Sequence, residues 1–342
     1  VAGIVTAHLL QRKYDVSLFE KNDYIGGHTH TLIVESGPDA GTPVDTGFIV
    51  FNNKTYPLFR KFLAELDVPF GNSNMSFSYY NPDTGVQYAG SGFKGLFAAP
   101  GSVYSPRHWR FLLGIMSFCR RTLSDLEAGR LSDLSLGRFC EQARFPRAVV
   151  EGYILPMASA IWSTPMLKIR DFPMEAFGRF YSNHGLLALK DRPVWYYVRG
   201  GSHAYVKRFL ETFNGQVEKQ RGIRSISRLD GRVRLVFESG ETRDFDKAVV
   251  AAHADEALAM LDEPLPRERE LLGAWRYSDN RVYLHTDSTA MPPNRNAWAS
   301  WNYRHREGAD PDSPATLTYY MNRLQELNTT HEYFVTLNPQ EP

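Results

Sequence analysis

The sequence predicts a two-domain α/β protein, on three observations. Its 342 residues exceed what one core of roughly 100–200 residues needs. The first twenty read as a glycine, an apolar helix, an alternating strand and an acid. After a long aromatic- and proline-rich interval, a Gly-Gly pair and a second helix return near residue 200.

Composition narrows the classes. Charges of both signs are mixed along the chain and sum to +1, so there is no electrostatic footprint for nucleic acid. The two cysteines, Cys119 and Cys140, form neither a ligand spacing nor a disulfide framework, which predicts a reduced, cytoplasmic setting. No apolar run reaches the roughly 20 residues of a bilayer span. The longest, Trp109 to Cys119, is followed by Arg120 and Arg121. It reads as a core or substrate-lining helix, with peripheral contact at a membrane surface left open. No signal peptide is visible, and the chain begins at Val1 rather than Met.

In "VAGIVTAHLLQRKYDVSLFEKND" the apolar residues Ala2, Val5, Ala7, Leu9 and Leu10 give a helical face. "DVSLFE" then alternates through Val16, Leu18 and Phe19 and ends at Glu20. A Rossmann-like dinucleotide-binding unit has this order. Its glycines allow a tight turn and bring the pyrophosphate close to a helix N-terminus. An acid about 20 residues on accepts hydrogen bonds from the ribose. Gly3 fits the third glycine and Glu20 follows it by 17 positions. The strand and the first two glycines would lie ahead of Val1.

"DYIGGHTHTL" sets His28 and His30 beside a glycine pair, and two readings compete: half of a metal site, or a glycine-cornered cradle. A metal site needs a third and fourth ligand in a convincing spacing. His8 lies on the preceding helix and no further cluster follows. The cradle is the better reading, and no metal is assigned.

Glycine, acid and Gly-Gly pair together resemble the FAD-dependent amine oxidase-like superfamily, which includes monoamine oxidases, protoporphyrinogen oxidase and phytoene desaturases. In that family a motif similar to R-x-G-G-R-x-x-[ST] follows the acid. Gly26 and Gly27 match, His28 stands where the second arginine would, and Thr29 or Thr31 supplies the hydroxyl. The resemblance implies FAD as cofactor, held by Gly3, Glu20, Lys21, Gly26, Gly27, His28 and Thr29. It also implies that Asp45 and Gly47 of "VDTGFIVFNN" lead the chain past the flavin, though a plain turn between strands fits those residues too. The helix "YPLFRKFLAELDV" closes this block with Leu58, Phe62 and Leu66 on one face.

From Phe70 to Pro193 aromatic strands precede several helices, and the resemblance places the substrate domain there. Trp162 of "ILPMASAIWSTP" is a candidate pocket wall, with core packing as the alternative. Gly200-Gly201 then resembles the family's entry to a helix, opened here by Tyr205 and Val206. "RVRLVFE" and "KAVVAA" read as strands, with a hairpin turn at Asp230-Gly231. By resemblance the backbone of Ile223 faces the adenine, and "VVAA" is the parallel strand beneath the pyrophosphate. In the remaining segment Trp298, Trp301, Tyr319 and Tyr320 either face the flavin or pack in a sheet core.

The predicted FAD-binding domain is therefore discontinuous, 1–69 and 194–263, with 70–193 and 264–342 forming an α+β substrate domain, a sheet backed by helices. The family's C-terminal glycine segment does not follow "EYFVTLNPQEP", so the chain reads as truncated at both ends. Flavin oxidases ask little acid–base chemistry of the protein, and no catalytic residue is assigned. No lysine falls in a segment matching the one that contacts the flavin through water in several amine oxidases. The chain is also similar to predicted NAD/FAD-binding proteins of bacteria and to a region fused to plant cyclopropane fatty-acid synthases. The reading is an FAD-dependent oxidoreductase taking a hydride from an amine or a C–C bond of an apolar or lipid-like small molecule. The alternatives are a non-redox flavin-dependent isomerase or mutase, and a non-enzymatic relic of the fold.

Overall fold

The computed structural model describes residues 1–188, 191–305 and 315–339. The parts of the predicted substrate domain at 189–190, 306–314 and 340–342 lie outside the described residues. The chain divides into two compact units, one of Val1–His30, Phe62–Val68 and Ser202–Ser278, the other of Thr31–Lys61, Pro69–Gly201 and Asp279–Pro342.

The first unit repeats one motif. Helix Ala2–Leu10 leads into strand Ser17–Phe19, and helix His203–Thr212 leads into strand Gln216–Glu218. The two strands pair in parallel, Ser17 beside Gln216 and Phe19 beside Glu218. The buried residues of the first helix are Ile4 and Ala7, whereas Leu9 is 51% exposed. Of the predicted face, Ala7 is buried and Val5 and Leu10 are half-buried, but Leu9 turns outward and Ile4 takes its place. The helix is apolar nearly all round, so spacing alone does not select the buried stripe. Beyond the parallel pair, strands Ile223–Leu229, Arg232–Phe237 and Thr242–Phe245 form an antiparallel meander, turning at Asp230-Gly231 as expected. Phe237 and Phe245 meet the edges of Phe19 at 5.1 and 5.8 Å, and Arg221 and Arg243 cover the Phe237 ring.

One expected strand is absent. "KAVVAA", 247–252, joins no ladder among the described residues, and Val249 and Val250 are 62% and 40% exposed. A strand exists only through its neighbour's hydrogen bonds.

The second unit is built on a six-stranded sheet. Its strand order is Val282–His285, Phe334–Leu337, Thr316–Tyr320, Trp301–Arg304, Phe77–Tyr80, Gln87–Ala89. All neighbours are antiparallel except Trp301–Arg304 beside Phe77–Tyr80. One face carries a buried polar ladder. Ser78 donates to Asn302 at 2.7 Å, Asn302 to the Thr318 carbonyl at 3.0 Å, and Thr318 and Thr336 share a bond of 2.9 Å. A one-residue slip would break every rung and expose the opposite face, so the ladder pins the register. That opposite face presents Phe77, Tyr79, Tyr303 and Leu317 to a core shared with helices Pro106–Glu127, Leu136–Gln142, Leu155–Trp162 and Met174–Asn183. The longest helix starts cleanly because Ser105 accepts the His108 N–H at 3.3 Å and Pro106 occupies its first turn. In helix Pro57–Glu65 the buried residues are Phe62 and Leu63, and Leu58 is 79% exposed. Of the face expected through Leu58, Phe62 and Leu66, Phe62 and Leu66 are buried and Leu58 alone turns outward.

Candidate functional site

In the first unit the glycine segment forms a sharp corner. Gly26 has φ +145°, and a Cβ there would stand 2.5 Å from the Thr29 carbonyl oxygen, so only glycine fits. Gly27 follows at φ +60°, and the Thr29 N–H closes the turn on the Gly26 carbonyl at 3.1 Å. Two side chains of the second helix hold this corner. His203 Nε2 bonds the Ile25 carbonyl at 2.8 Å, and the hydroxyls of Thr29 and Tyr205 meet at 2.5 Å. Thr29 is 2% exposed, so its hydroxyl is committed inside the protein. Thr31, the other hydroxyl considered, donates to Asp45 Oδ1 at 2.5 Å within the second unit.

Gly3 stands at the start of the first helix, where a Cβ would lie 3.2 Å from the Ala251 Cβ. That close approach of helix and extended chain is the function of the third glycine in a dinucleotide-binding turn. Glu20 ends the first strand. Its Oε1 accepts the Asn22 N–H at 3.0 Å, and its carbonyl accepts the Arg221 N–H at 2.8 Å. Gln220 N–H bonds the Asn22 carbonyl at 2.9 Å, so the segment entering Ile223 is tied to the acid end of the strand. Ile223 itself opens the meander opposite Phe237, beside an irregularity in register before Ser225.

Lys21 pairs with Glu256 of helix Ala254–Met260. The hydrogen bond between them raises the lysine above its usual range and lowers the glutamate below its own. His28 is exposed and stacks on His253 at 5.2 Å, and His253 stacks on Tyr277 at 4.2 Å with planes 5° apart. Tyr277 Oη accepts the Ala254 N–H at 3.0 Å. His253, Tyr277 and His203 are additions the sequence reading missed. For His253 the available signal was its place directly after "VVAA"; for the others only long-range packing reveals the contact. Among the described residues no three His, Cys, Asp or Glu side chains come together as a metal site.

This glycine-cornered cradle, with an acid at the end of the first strand, agrees with a match to the flavin-containing amine oxidoreductase family over residues 1–332. The chain belongs to that family. Solved structures of family type share its fold. Putrescine oxidase bound to putrescine is 13% identical, with a TM-score of 0.67 over 99% of this chain and 73% of the other. Cyclohexylamine oxidase from Brevibacterium oxydans IH-35A is 14% identical, with a TM-score of 0.62 over 98% and 72%. A fatty acid isomerase from P. acnes that produces CLA is 16% identical, with a TM-score of 0.66 over 100% and 76%. No curated protein matches significantly. The family carries flavin, so a flavin cofactor and an enzyme follow at that level.

The five aromatic candidates of this family member lie in the second unit, and they separate, with Tyr320 packed on Phe334 beside Trp298 and its hydroxyl donating to Glu332 at 2.8 Å. Trp301 and Tyr319 are cross-strand partners with rings 5.2 Å apart at 81°. The buried Trp301 Nε1 has no hydrogen-bond partner, and burial raises the Tyr319 hydroxyl well above its usual range. Trp162 packs among Phe172, Phe177, Phe180 and Tyr181, and borders the same core as Trp301 and Tyr319. Trp298 is 6% exposed in a separate cluster with Met291 and Phe334, its Nε1 donating to the Pro292 carbonyl at 2.8 Å. In the same unit Asp45 is fully buried. Its N–H and Oδ2 engage Gln325 at 2.9 and 3.0 Å.

Proposed function

We propose that the protein is an FAD-dependent oxidoreductase that takes a hydride from a C–H bond of an apolar or lipid-like small molecule, next to an amine nitrogen or within a C–C unit, with a proton leaving as the double bond forms. The observation carrying the cofactor is the cradle of the first unit, where Gly3 and Gly26 each occupy space a Cβ would fill. A bound flavin supplies the hydride acceptor. Gly3 lets the pyrophosphate approach the first helix, Glu20 accepts from the ribose hydroxyls, and the Ile223 backbone meets the adenine. Gly26, Gly27 and His28 shape the phosphate side. Lys21 steadies that side through Glu256, and Thr29 holds the corner through Tyr205.

Trp301, Tyr319 and Trp162 provide an apolar wall that orients a substrate C–H bond and excludes water. The unpaired Trp301 N–H and the buried Tyr319 hydroxyl are polar groups of this wall. Trp298 is fully engaged and belongs to the supporting structure. A second reading, redox-neutral isomerisation of a fatty acid, draws on the likeness to the isomerase structure. Anaerobic titration separates the two. Bleaching of the flavin by an amine or a saturated acyl chain, with stoichiometric oxidised product, supports the oxidoreductase. Double-bond movement without net bleaching supports the isomerase and overturns the first reading.

A further inference from the structure

Helix Pro106–Glu127 turns one side into the core of the second unit through Phe111, Ile115, Phe118 and Leu123. Its other side exposes Trp109 by 44% and Leu113 by 59%, four residues apart and therefore neighbours on the surface. The adjoining turns add Phe93 and Tyr104, 65% and 88% exposed. The rings of Phe93, Phe97 and Trp109 run in a row, with centroids 4.6 and 4.9 Å apart.

Along this stretch of sequence the charge has one sign. From Thr84 to Ser124 the sequence contains no Asp or Glu but carries Lys94, Arg107, Arg110, Arg120 and Arg121. All five are exposed, and among the described residues only Arg121 pairs with an acid, Asp125. Lys94 also lines a cavity of about 290 Å³ with Arg295 and Arg323. Arg295 is answered by Glu332 at 2.9 Å, whereas Arg323 donates to the Trp298 carbonyl at 2.5 Å and meets no described acid.

Exposed aromatic and leucine side chains among unanswered cations fit one partner best. The rings settle at the head-group boundary while lysine and arginine extend to anionic head groups. A second copy of the same face would bring four more unanswered cations, Lys94, Arg107, Arg110 and Arg120, against these four, which is repulsive. We propose that this face, Phe93 to Arg120, docks the protein onto a bilayer surface that contains anionic lipid.

The test is co-sedimentation of the full-length protein with vesicles of phosphatidylcholine alone or mixed with one quarter phosphatidylglycerol. Binding is expected to the mixed vesicles only, to weaken from 0.1 to 0.5 M salt, and to shift Trp fluorescence to the blue. Arg107→Gln with Arg110→Gln should lower partitioning about 25-fold, at about fivefold per charge. Leu113→Ser, at an exposed position, should lower it without disturbing the fold. Equal binding to both vesicle types, no binding, or binding unmoved by these changes would overturn the proposal. So would a dimer in light scattering that Leu113→Ser dissociates, since the face would then join two copies.

Discussion

Gly3 lies against Ala251, so closely that a Cβ on the glycine would come within 3.2 Å of the alanine Cβ. The start of the first helix is thereby packed on the extended segment after the meander, two regions some 250 residues apart in sequence. Gly3→Val forces overpacking at this contact, which typically costs about 1–3 kcal/mol. The expected result is a lower urea midpoint together with weaker flavin retention. A Gly3→Val protein equal to wild type in both would show that the contact is loose.

Glu20→Ala removes the acid at the end of the first strand while leaving the strand's own backbone bonds in place. Hydrogen bonds to a charged acceptor contribute about 1.5–3 kcal/mol, so FAD affinity should fall about tenfold to hundredfold. Far-UV circular dichroism should not change. Unchanged affinity, measured by flavin fluorescence on binding, would remove Glu20 from the site.

The bond between Thr29 and Tyr205 tests how the glycine corner is held. Tyr205→Phe strands the buried Thr29 hydroxyl, at a cost of about 1–3 kcal/mol. Adding Thr29→Val should recover part of that loss, because the stranded partner is then gone. Strictly additive losses in chemical denaturation would mean the two hydroxyls do not act together.

Asp39 contributes to the acid limit of the second unit. Burial pushes its carboxyl upward, but the N–H groups of Thr330 and His331, the His331 ring and the Tyr333 hydroxyl outweigh this and hold it well below the usual range. With the folded value depressed, the stabilisation is complete above the unfolded value of about 3.9. It is lost as pH falls below that value and through the folded one. Asp39→Asn should therefore reduce stability at neutral pH and flatten the decline between about pH 4 and pH 2. An acid limb in thermal melting identical to wild type would contradict this role.

Much of the first unit was legible because its signals are local. A glycine, an acid at the end of an alternating strand, and a Gly-Gly corner each follow from what one short segment of backbone must do. Two features resisted for different reasons. The buried stripe of the first helix could not be read because Val5, Leu9 and Ile4 are equally apolar, so only packing chooses Ile4. The segment at 247–252 carries strand-forming residues but lacks a neighbour among the described residues, and side-chain preference cannot supply one. Contacts such as His28 on His253, or Asp45 with Gln325, join residues more than 200 positions apart and leave no periodic trace. The aromatic candidates were the least legible. Trp298 and Trp301 are three residues apart and look alike in sequence, yet one is fully engaged and the other keeps an unpaired N–H.

The most direct measurement is the visible absorption spectrum of the purified full-length protein, followed by identification of any chromophore released on denaturation. Flavin bands, with FAD recovered in about one equivalent per chain, are the predicted result. A colourless protein that also fails to take up added FAD would contradict the account and leave the glycine cradle a structural remnant.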